Sequence, residues 1–563
     1  MPGDELAAEL LTAVLRSDPL EASLFGFPGY ERDLPDFSRE AESAQARTLE
    51  SIATRAEQTP DDGLSETELQ TLDFVRCFAR GLAGAAVVPL VDFTVSDTFA
   101  APVGNVLASL PKLPVDTDER KEGYLARLRG LADTLSTAAQ RHEEGARQGR
   151  TAVARLVEAA VSQLDLMVDD PSLGAMARTA SDADGDGLTD ASALDASFAK
   201  ATAAAVDQHA RPALIAYREA LRTSVLPAAR GDERPGLCYL PDGEAMYRAL
   251  ARLHTSMHFS PDELHAMGCE IVEQVTAEMV ETGSALFGTT DVATIFKRLD
   301  EPAQRYESRD EMLEHARRVV VAAEAEAPKW FATVPSVPCV VAPVPAAEEV
   351  GMTGAYYMPG AIDGSRPGTY YLNTSQPEKR HRYAAEDIAF HEAVPGHHFQ
   401  LTIAMESNNL STARQVLHDT ACAEGWGLYA ERLADEMGLY TDDLARMGLF
   451  AADAWRASRL VVDTGLHAMG WSRRHAIEWM ASHTPLPRLE VETEIDRYIS
   501  FPGQALAYMV GRREIVRLRA TATERLGDRF DLRDFHDLVL RAGILPLPAL
   551  GRTVERWLAR LGA

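Results

Sequence analysis

The stretch HEAVPGHH, at residues 391–398, places a His-Glu pair ahead of two further histidines. In the arrangement His-Glu-x-x-His, two histidines one helical turn apart bind zinc, and the glutamate activates a water molecule. Here the second histidine follows the first by six or seven residues, which is about 9 Å or more along a regular helix. The stretch therefore predicts a metal site only if the helix breaks at Pro395-Gly396 and the break returns a second histidine to His391.

The residues ahead of His391 predict one helix that carries His391 and Glu392 near its end. The segment SQPE, at residues 375–378, has the pattern of a helix start: a serine cap, a proline in the first turn and a glutamate after them. From there the helix is predicted to continue to Val394, because a Pro-Gly pair commonly ends a helix.

The choice between the two following histidines depends on how many residues loop out at the break. Two looped-out residues restore the spacing of an ordinary zinc helix for His397, and three restore it for His398. We favour His397, because Gly396 tolerates the dihedral angles that such a bulge needs. His398 stays open as the alternate ligand, and in that case His397 would support the site or contact substrate.

A hydrolytic zinc site needs a third protein ligand and an open fourth position. The best candidate is Glu424, in the segment AEGWGLYAE at residues 423–431, within a helical stretch that Gly438 would end. Two glycines inside a helix cost about 1 kcal/mol each relative to alanine, so they indicate close approach of another backbone. The helix of His391, packed alongside, would explain them. Glu431 is a weaker candidate for orienting a histidine, with a solvated or salt-bridged position as the alternative.

Length and charge restrict the classes of protein to which the chain can belong. Its 563 residues fit several domain-sized units or one large two-lobed enzyme, and the net charge of −29 opposes binding to nucleic acid or anionic membranes. The five cysteines are widely spread, and neither a secretory signal nor a membrane-spanning run is apparent. We therefore expect a soluble cytoplasmic protein, and the sequence leaves its oligomeric state open.

The spacing of apolar side chains predicts a mainly α-helical protein. The helical pattern runs through residues 119–165, 193–227, 242–286, 309–327, 411–437, 442–483 and 510–526. Strand-like runs are few: residues 336–345, and residues 354–358 with 369–373, which flank turn signals and predict a hairpin with a long loop. The predicted fold is a large helical one with a small β-hairpin or sheet beside the helix of His391.

Together these motifs resemble a bacterial family of zinc hydrolases known as domain of unknown function 885, whose signatures are His-Glu-Ala-x-Pro-Gly-His-His and Glu-Gly-Trp-x-Leu-Tyr-x-Glu. The further segments that look like this family are DGSRPG at 363–368, VDTGLH at 462–467, GWS at 470–472, YI at 498–499, PGQALAY at 502–508, FHD at 535–537 and GILPL at 543–547. The resemblance extends over residues 18–560, nearly the whole chain.

The resemblance implies a two-lobed helical metalloprotein similar to the gluzincin peptidases, with a deep cleft and one zinc ion per chain. We divide the chain into an N-terminal helical lobe, residues 1–192, and a zinc-binding catalytic lobe, residues 193–563. The polar segment 180–192 is the best candidate for their boundary. A cleft of this kind favours a short peptide or a small amide as the substrate.

The reaction expected of this site is hydrolysis of a peptide or peptide-like amide bond. Glu392 is the predicted general base, which takes a proton from the metal-activated water and returns it to the leaving amine. Tyr508 is our first choice for a hydrogen-bond donor to the oxyanion.

Further polar residues are candidates for contacting the substrate. Tyr498 and His467 follow Tyr508 as oxyanion donors, and Arg497 is a candidate to receive a substrate carboxylate through its planar fork of donors. The other arginine candidates are Arg366, Arg456 and Arg459.

Other interpretations stay open. A non-peptidase amidohydrolase or a biosynthetic metalloenzyme would use the same water activation, whereas a helical binding protein would hold a structural metal or none. An intact Glu392 beside an open coordination position favours an enzyme. Separately, DADGDGLTD at residues 182–190 matches a calcium loop in its aspartates and its central glycine, but Ala193 replaces the bidentate glutamate, and an acidic loop fits equally well.

Overall fold

The computed structural model describes residues 2–178, 196–345, 349, 354–360, 366–407 and 409–563. These residues are mainly helical, which confirms the predicted fold class. The helices up to residue 299 are α1 (Pro2–Ser17), α2 (Pro19–Leu24), α3 (Arg39–Gln58), α4 (Glu66–Ala85), α5 (Leu90–Phe93), α6 (Pro102–Ser109), α7 (Asp118–Arg147), α8 (Ala154–Asp169), α9 (Ala196–Ala205), α10 (Arg211–Ala220), α11 (Gly243–Thr255), α12 (Pro261–Phe287) and α13 (Val292–Leu299). The following helices are α14 (Arg309–Glu326), α15 (Ala385–Glu392), α16 (His397–Glu406), α17 (Thr412–Val416), α18 (Thr420–Glu436), α19 (Asp443–His467), α20 (Arg473–His483), α21 (Arg488–Ser500), α22 (Ala507–Leu526), α23 (Leu532–Arg541) and α24 (Leu547–Arg560).

A small sheet lies beside α15. It contains β1 (Val340–Pro343), β2 (Ala355–Met358) and β3 (Thr369–Leu372) in the order β1-β3-β2. Strands β2 and β3 pair antiparallel, with Tyr356 opposite Tyr371, so the predicted hairpin is present. Strand β1 pairs parallel with the other edge of β3, and β2 packs against α15.

Three clusters of buried apolar side chains hold the helices together. The largest joins α1, α3 and α4 to α11–α19 and α22–α24. A second cluster is formed by α6–α10, and a third packs α20 and α21 against the end of α19. The predicted boundary between residues 192 and 193 and the acidic segment 182–190 lie outside the described residues, so the lobe division stays a prediction.

Helix α19 lies at the centre of the largest cluster and is buried on nearly every side. It nevertheless carries charged side chains, and a buried charge is costly unless it is paired. Asp453 meets this requirement through ion pairs with Arg432 and Arg512. None of the described helices is long and apolar enough to cross a membrane.

The predicted helix from residue 375 to Val394 is wrong at its start. The hydroxyl of Ser375 donates to Oδ1 of Asn373 at 2.6 Å instead of capping a helix, and Gln376 has a φ of +53°. Short 3-10 turns at Pro377–Lys379 and Arg382–Ala384 follow, and α15 begins only at Ala385. The local cap pattern is overridden because the Asn373 side chain offers the serine a closer partner.

Candidate metal centre

The chain does break at Pro395-Gly396, but by ending one helix and starting another. Helix α15 ends at Glu392 and α16 begins at His397, with a cis peptide bond between Val394 and Pro395. A β-carbon on Gly396 would lie 1.9 Å from the carbonyl oxygen of His391, so only glycine permits this tight reversal. The predicted break is therefore present as a turn between two helices, and the first helix ends at Glu392 and not at the predicted Val394.

The reversal brings His391 and His397 together, and α18 adds Glu424. Oε2 of Glu424 lies 3.5 Å from Nε2 of His391 and 3.7 Å from Nε2 of His397. One ligand atom from each residue lies within 4.8 Å of the others. Ligands at about 2.0–2.2 Å from a tetrahedral zinc ion lie about 3.3–3.6 Å apart. The 3.5 Å separation falls in this range and the 3.7 Å separation is slightly wider, so the cluster needs only a small contraction to hold zinc.

Glu431 fixes the orientation of His391. Glu431 is fully buried in α18, two turns after Glu424. Its Oε1 lies 2.6 Å from Nδ1 of His391. Burial opposes a charged imidazole, but the contacts with Glu424 and Glu431 outweigh burial and raise the pKa of His391 to about 10. This second partner directs Nε2 of His391 toward Glu424, as carboxylates do for histidines that bind metals.

The two glycines of the Glu424 segment are required by different close contacts. A β-carbon at Gly427 would lie 2.5 Å from Cε1 of His391, so this glycine makes room for the candidate ligand. A β-carbon at Gly425 would lie 2.3 Å from the carbonyl carbon of Gly511 in α22. The closely approaching backbone is thus that of α22, whereas the helix of His391 contributes a side chain.

His398 points away from this cluster. Its Nδ1 lies 3.0 Å from the hydroxyl of Tyr357 in β2, and its Nε2 lies 3.2 Å from the carbonyl oxygen of Val337. Burial lowers the pKa of His398 to about 4, so the ring is neutral. The structure therefore places His397, and not His398, beside His391 and Glu424, while His398 attaches the sheet to α16.

The comparisons with known proteins agree with this architecture. The model of a family described as bacterial proteins of unknown function, DUF885, matches residues 19–554. The chain belongs to this family. No curated protein matches the chain.

Two solved structures resemble this DUF885 member over nearly its whole length. One, described as the putative lipoprotein from Colwellia psychrerythraea, is 27% identical, covers 100% of both chains and has a TM-score of 0.88. The other, a putative lipoprotein of unknown function from Shewanella oneidensis, is 17% identical over 97% of this chain and 98% of that one, with a TM-score of 0.76. The second likeness concerns the fold alone.

Glu392 and Tyr508 both adjoin the three-residue cluster in the DUF885 chain. Glu392 is half-buried at the end of α15, and its charge acts on Tyr370 in β3, whose pKa is raised by burial and by Glu392. Tyr508 is at the start of α22, and burial together with the charge of Glu424 raises the pKa of its hydroxyl. Both predicted catalytic residues are therefore close to the candidate ligands.

The predicted substrate contacts at His467 and Tyr498 are interior residues instead. Both are fully buried. Nδ1 of His467 accepts from the backbone N–H of Leu237 at 3.2 Å, and its Nε2 lies 3.0 Å from the carbonyl oxygen of Tyr498. The Tyr498 hydroxyl donates to Glu494 at 2.5 Å. These bonds occupy the polar atoms of both side chains within the protein.

Arg497 belongs to the same buried network as Tyr498. Its Nε and Nη2 donate to the two oxygens of Glu494 at 3.2 and 2.9 Å, and its Nη1 donates to Gln504 at 2.9 Å. The guanidinium that was predicted to receive a substrate carboxylate is therefore already paired within the protein.

Asp387 is a residue of this site that the sequence analysis did not single out. It is buried one turn before His391 in α15 and accepts a hydrogen bond of 3.0 Å from Tyr440. Burial and the neighbouring Glu431 raise its pKa well above the usual range for a carboxyl group. Its spacing of four residues from His391 places both side chains on one helix face, which is the signal available in the sequence.

Proposed function

We propose that this DUF885 protein is a zinc-dependent hydrolase that cleaves peptide or peptide-like amide bonds. The observation that carries the proposal is the approach of His391, His397 and Glu424 to within 4.8 Å of one another through one ligand atom each. Two imidazoles and one carboxylate form the usual protein ligand set of a hydrolytic zinc site, which keeps a further position open for water or substrate.

Zinc, when bound, supplies a Lewis acid that makes water a nucleophile at neutral pH and polarises the scissile carbonyl group. Glu392 directly follows the candidate ligand His391, and its carboxylate makes no hydrogen bond with another described residue. It is therefore free to accept the proton of the attacking water. Glu392 then delivers this proton to the nitrogen of the leaving amine as the carbon–nitrogen bond breaks.

Tyr508 is the proposed donor to the oxyanion that forms on the former carbonyl oxygen. Its ring is held by the guanidinium of Arg459, which lies 4.3 Å from the ring centre. Helix α22, which carries Tyr508, packs against α18 through Gly425 and Gly511. The hydroxyl is thus positioned by the same helix contact that positions Glu424.

The test is a screen of short peptides and N-acyl amino acids with the zinc-loaded wild-type protein and the Glu392→Gln variant. We expect the variant to bind as much zinc as the wild type and to lose at least 100-fold in hydrolysis, the effect typical of a general base. Glu378→Gln, which changes an exposed carboxylate ahead of α15, is the matched control and should hydrolyse like the wild type.

The outcomes separate the candidate functions. A Glu392→Gln variant that hydrolyses as fast as the wild type would contradict the role of Glu392. A zinc-loaded wild type that binds these compounds but hydrolyses none of them would favour a binding protein with a structural metal.

A further inference from the structure

Arg456 is a buried arginine that forms an ion pair with Glu431 but makes no hydrogen bond among the described residues. It is 9% exposed in the middle of α19, and its Nε has no hydrogen-bond partner. The whole guanidinium, with five N–H donors, makes no hydrogen bond to any residue in the described ranges. Buried donors normally have partners, so the unused donors of this side chain are available to an acceptor on a bound ligand.

The neighbouring Arg459 is a useful contrast. One turn closer to the end of α19, its Nε donates to Tyr498 at 2.9 Å and its Nη2 donates to Glu494 at 3.2 Å. Only its Nη1 is buried without a partner. The guanidinium groups of Arg456 and Arg459 both lie against the ring of Trp455, at 4.7 and 4.4 Å from its centre, and so form one cluster of charged groups.

This cluster adjoins the candidate metal centre. Nη2 of Arg456 lies 3.7 Å from Oε1 of Glu431, the oxygen that contacts Nδ1 of His391. On its other side, Arg459 lies against the ring of Tyr508, whose hydroxyl is affected by the charge of Glu424. A group bound by the unused donors would therefore lie beside the candidate metal centre.

The charges around Arg456 favour a ligand with a single negative charge. The acidic groups that face it are Glu431, Asp387 and Glu490, and none of them lies within hydrogen-bond distance of its nitrogen atoms. These carboxyl groups would repel a dianion such as phosphate more than a monoanion. A carboxylate also matches the planar fork of a guanidinium with two parallel hydrogen bonds.

We propose that Arg456, assisted by Nη1 of Arg459, binds the α-carboxylate at the free C-terminus of the substrate. The bond that is cut follows from the proposed hydrolase function, but the carboxylate site does not depend on hydrolysis. The proposed substrates are then peptides that lose their C-terminal residue, and N-acyl amino acids. In both, the α-carboxylate reaches Arg456 while the amide bond of the same residue lies at the candidate metal centre.

Calorimetric titrations test the proposal directly. The purified protein, before and after zinc loading, is titrated with N-acetylphenylalanine, with its α-amide and with N-acetylglutamate α-amide. We expect the free acid to bind at least tenfold more tightly than either amide. In Arg456→Met this preference should fall to within twofold. Arg488→Met removes an exposed arginine from α21 as the matched control and should keep the full preference.

The proposal is overturned if the wild type binds the acid and its amide equally, if it prefers the side-chain carboxylate, or if Arg456→Met keeps the preference. If Arg456→Met does not fold, Arg456→Lys replaces it, because lysine preserves the charge beside Glu431 but not the fork. In Arg456→Lys the affinity for the free acid should fall at least threefold, and the affinity for the amide should not change. An unchanged affinity for the acid would contradict the proposal.

Hydrolysis of matched peptides with a free or an amidated C-terminus separates this inference from the proposed function. Faster cleavage of the free peptide by at least tenfold, abolished in Arg456→Met, supports both. Equal cleavage of the two peptides overturns the carboxylate site and leaves the hydrolase standing. Tight binding of the acid without cleavage of either peptide supports the carboxylate site and contradicts the hydrolase.

Discussion

The indole Nε1 of Trp426 donates a hydrogen bond of 2.9 Å to the carbonyl oxygen of Pro395. Trp426 is fully buried in α18, two residues after Glu424, and Pro395 lies in the turn between α15 and α16. The bond therefore joins the segment that supplies the candidate carboxylate ligand to the segment that supplies both histidines. It holds the turn in the position that brings His397 toward Glu424.

Replacing Trp426 by phenylalanine removes this bond and leaves a buried carbonyl group without a partner, which costs about 1–3 kcal/mol. We expect a lower free energy of unfolding in urea and weaker zinc binding in a calorimetric titration. Trp330→Phe is the control, since the Trp330 indole donates at 3.3 Å to Glu326 in a more exposed setting. Equal effects of the two substitutions on zinc binding would contradict the role of the Pro395 bond.

Replacing Gly427 by alanine should stabilise the helix and weaken metal binding. Alanine is a better helix former than glycine by about 1 kcal/mol, but at position 427 its β-carbon would lie 2.5 Å from the His391 ring. We expect Gly427→Ala to remain helical by circular dichroism and to lose at least tenfold in zinc affinity.

The matched control is Gly551→Ala in α24. The nearest atom to a β-carbon there is 3.9 Å away, so the substitution meets no clash and should stabilise the protein by about 0.5–1 kcal/mol without changing zinc affinity. Unchanged zinc affinity in Gly427→Ala would show that the His391 ring is not held where a metal needs it.

The two adjacent histidines should respond differently to substitution. His397→Gln removes a candidate ligand and should abolish tight zinc binding with little effect on the unfolding transition. His398→Gln should preserve zinc binding but lower stability, because His398 contacts Tyr357 in β2 and the carbonyl group of Val337. Calorimetric zinc titration and urea unfolding of both variants provide the measurement. Loss of zinc from His398→Gln alone would reverse the assignment.

Much of the site could be predicted because its residues lie in short, chemically distinctive segments. Glu424 is identified by its glycines, and those glycines do make room for a neighbouring helix and for the His391 ring. The choice of His397 depends instead on the path of residues 393–396, where one tight reversal decides which ring turns inward. Sequence spacing admits both histidines, and only the packed turn distinguishes them.

The failures of prediction concern residues whose role depends on distant partners. His467 and Tyr498 are polar residues near Tyr508 in the sequence, yet their bonds to Leu237 and Glu494 place them in the interior. The start of α15 was predicted ten residues too early, since a local cap pattern does not reveal that Asn373 engages Ser375. Long-range contacts decide such positions, and a helical period contains no information about them.

Buried histidines away from the candidate metal centre predict acid sensitivity. Burial lowers the pKa of His142, His467 and His536 to about 4, whereas histidines in an unfolded chain have a pKa of about 6.5. Between pH 4 and pH 6.5 the unfolded state therefore binds more protons than the folded state. The stability contributed by the neutral rings is complete above pH 6.5 and is lost as the pH falls toward 4.

The measurement compares the free energy of urea unfolding of the wild type and of His467→Gln at pH 7 and pH 5. The comparison with the variant is needed because burial raises the pKa of Asp419 and Asp463 to about 7, and their protonation stabilises the folded state in the same range. In His467→Gln the dependence of the free energy of unfolding on pH should be shallower by about one proton. An equal pH dependence in the wild type and in His467→Gln would contradict the assignment of His467 as buried and neutral.

The central claim, that His391, His397 and Glu424 form one zinc site, is tested most directly by anomalous diffraction at the zinc absorption edge from crystals of the zinc-loaded protein. We predict a single strong peak per chain between Nε2 of His391, Nε2 of His397 and Oε2 of Glu424, and its absence in crystals of Glu424→Gln. A wild-type crystal without a peak at this position, or a peak that persists in Glu424→Gln, would contradict the account.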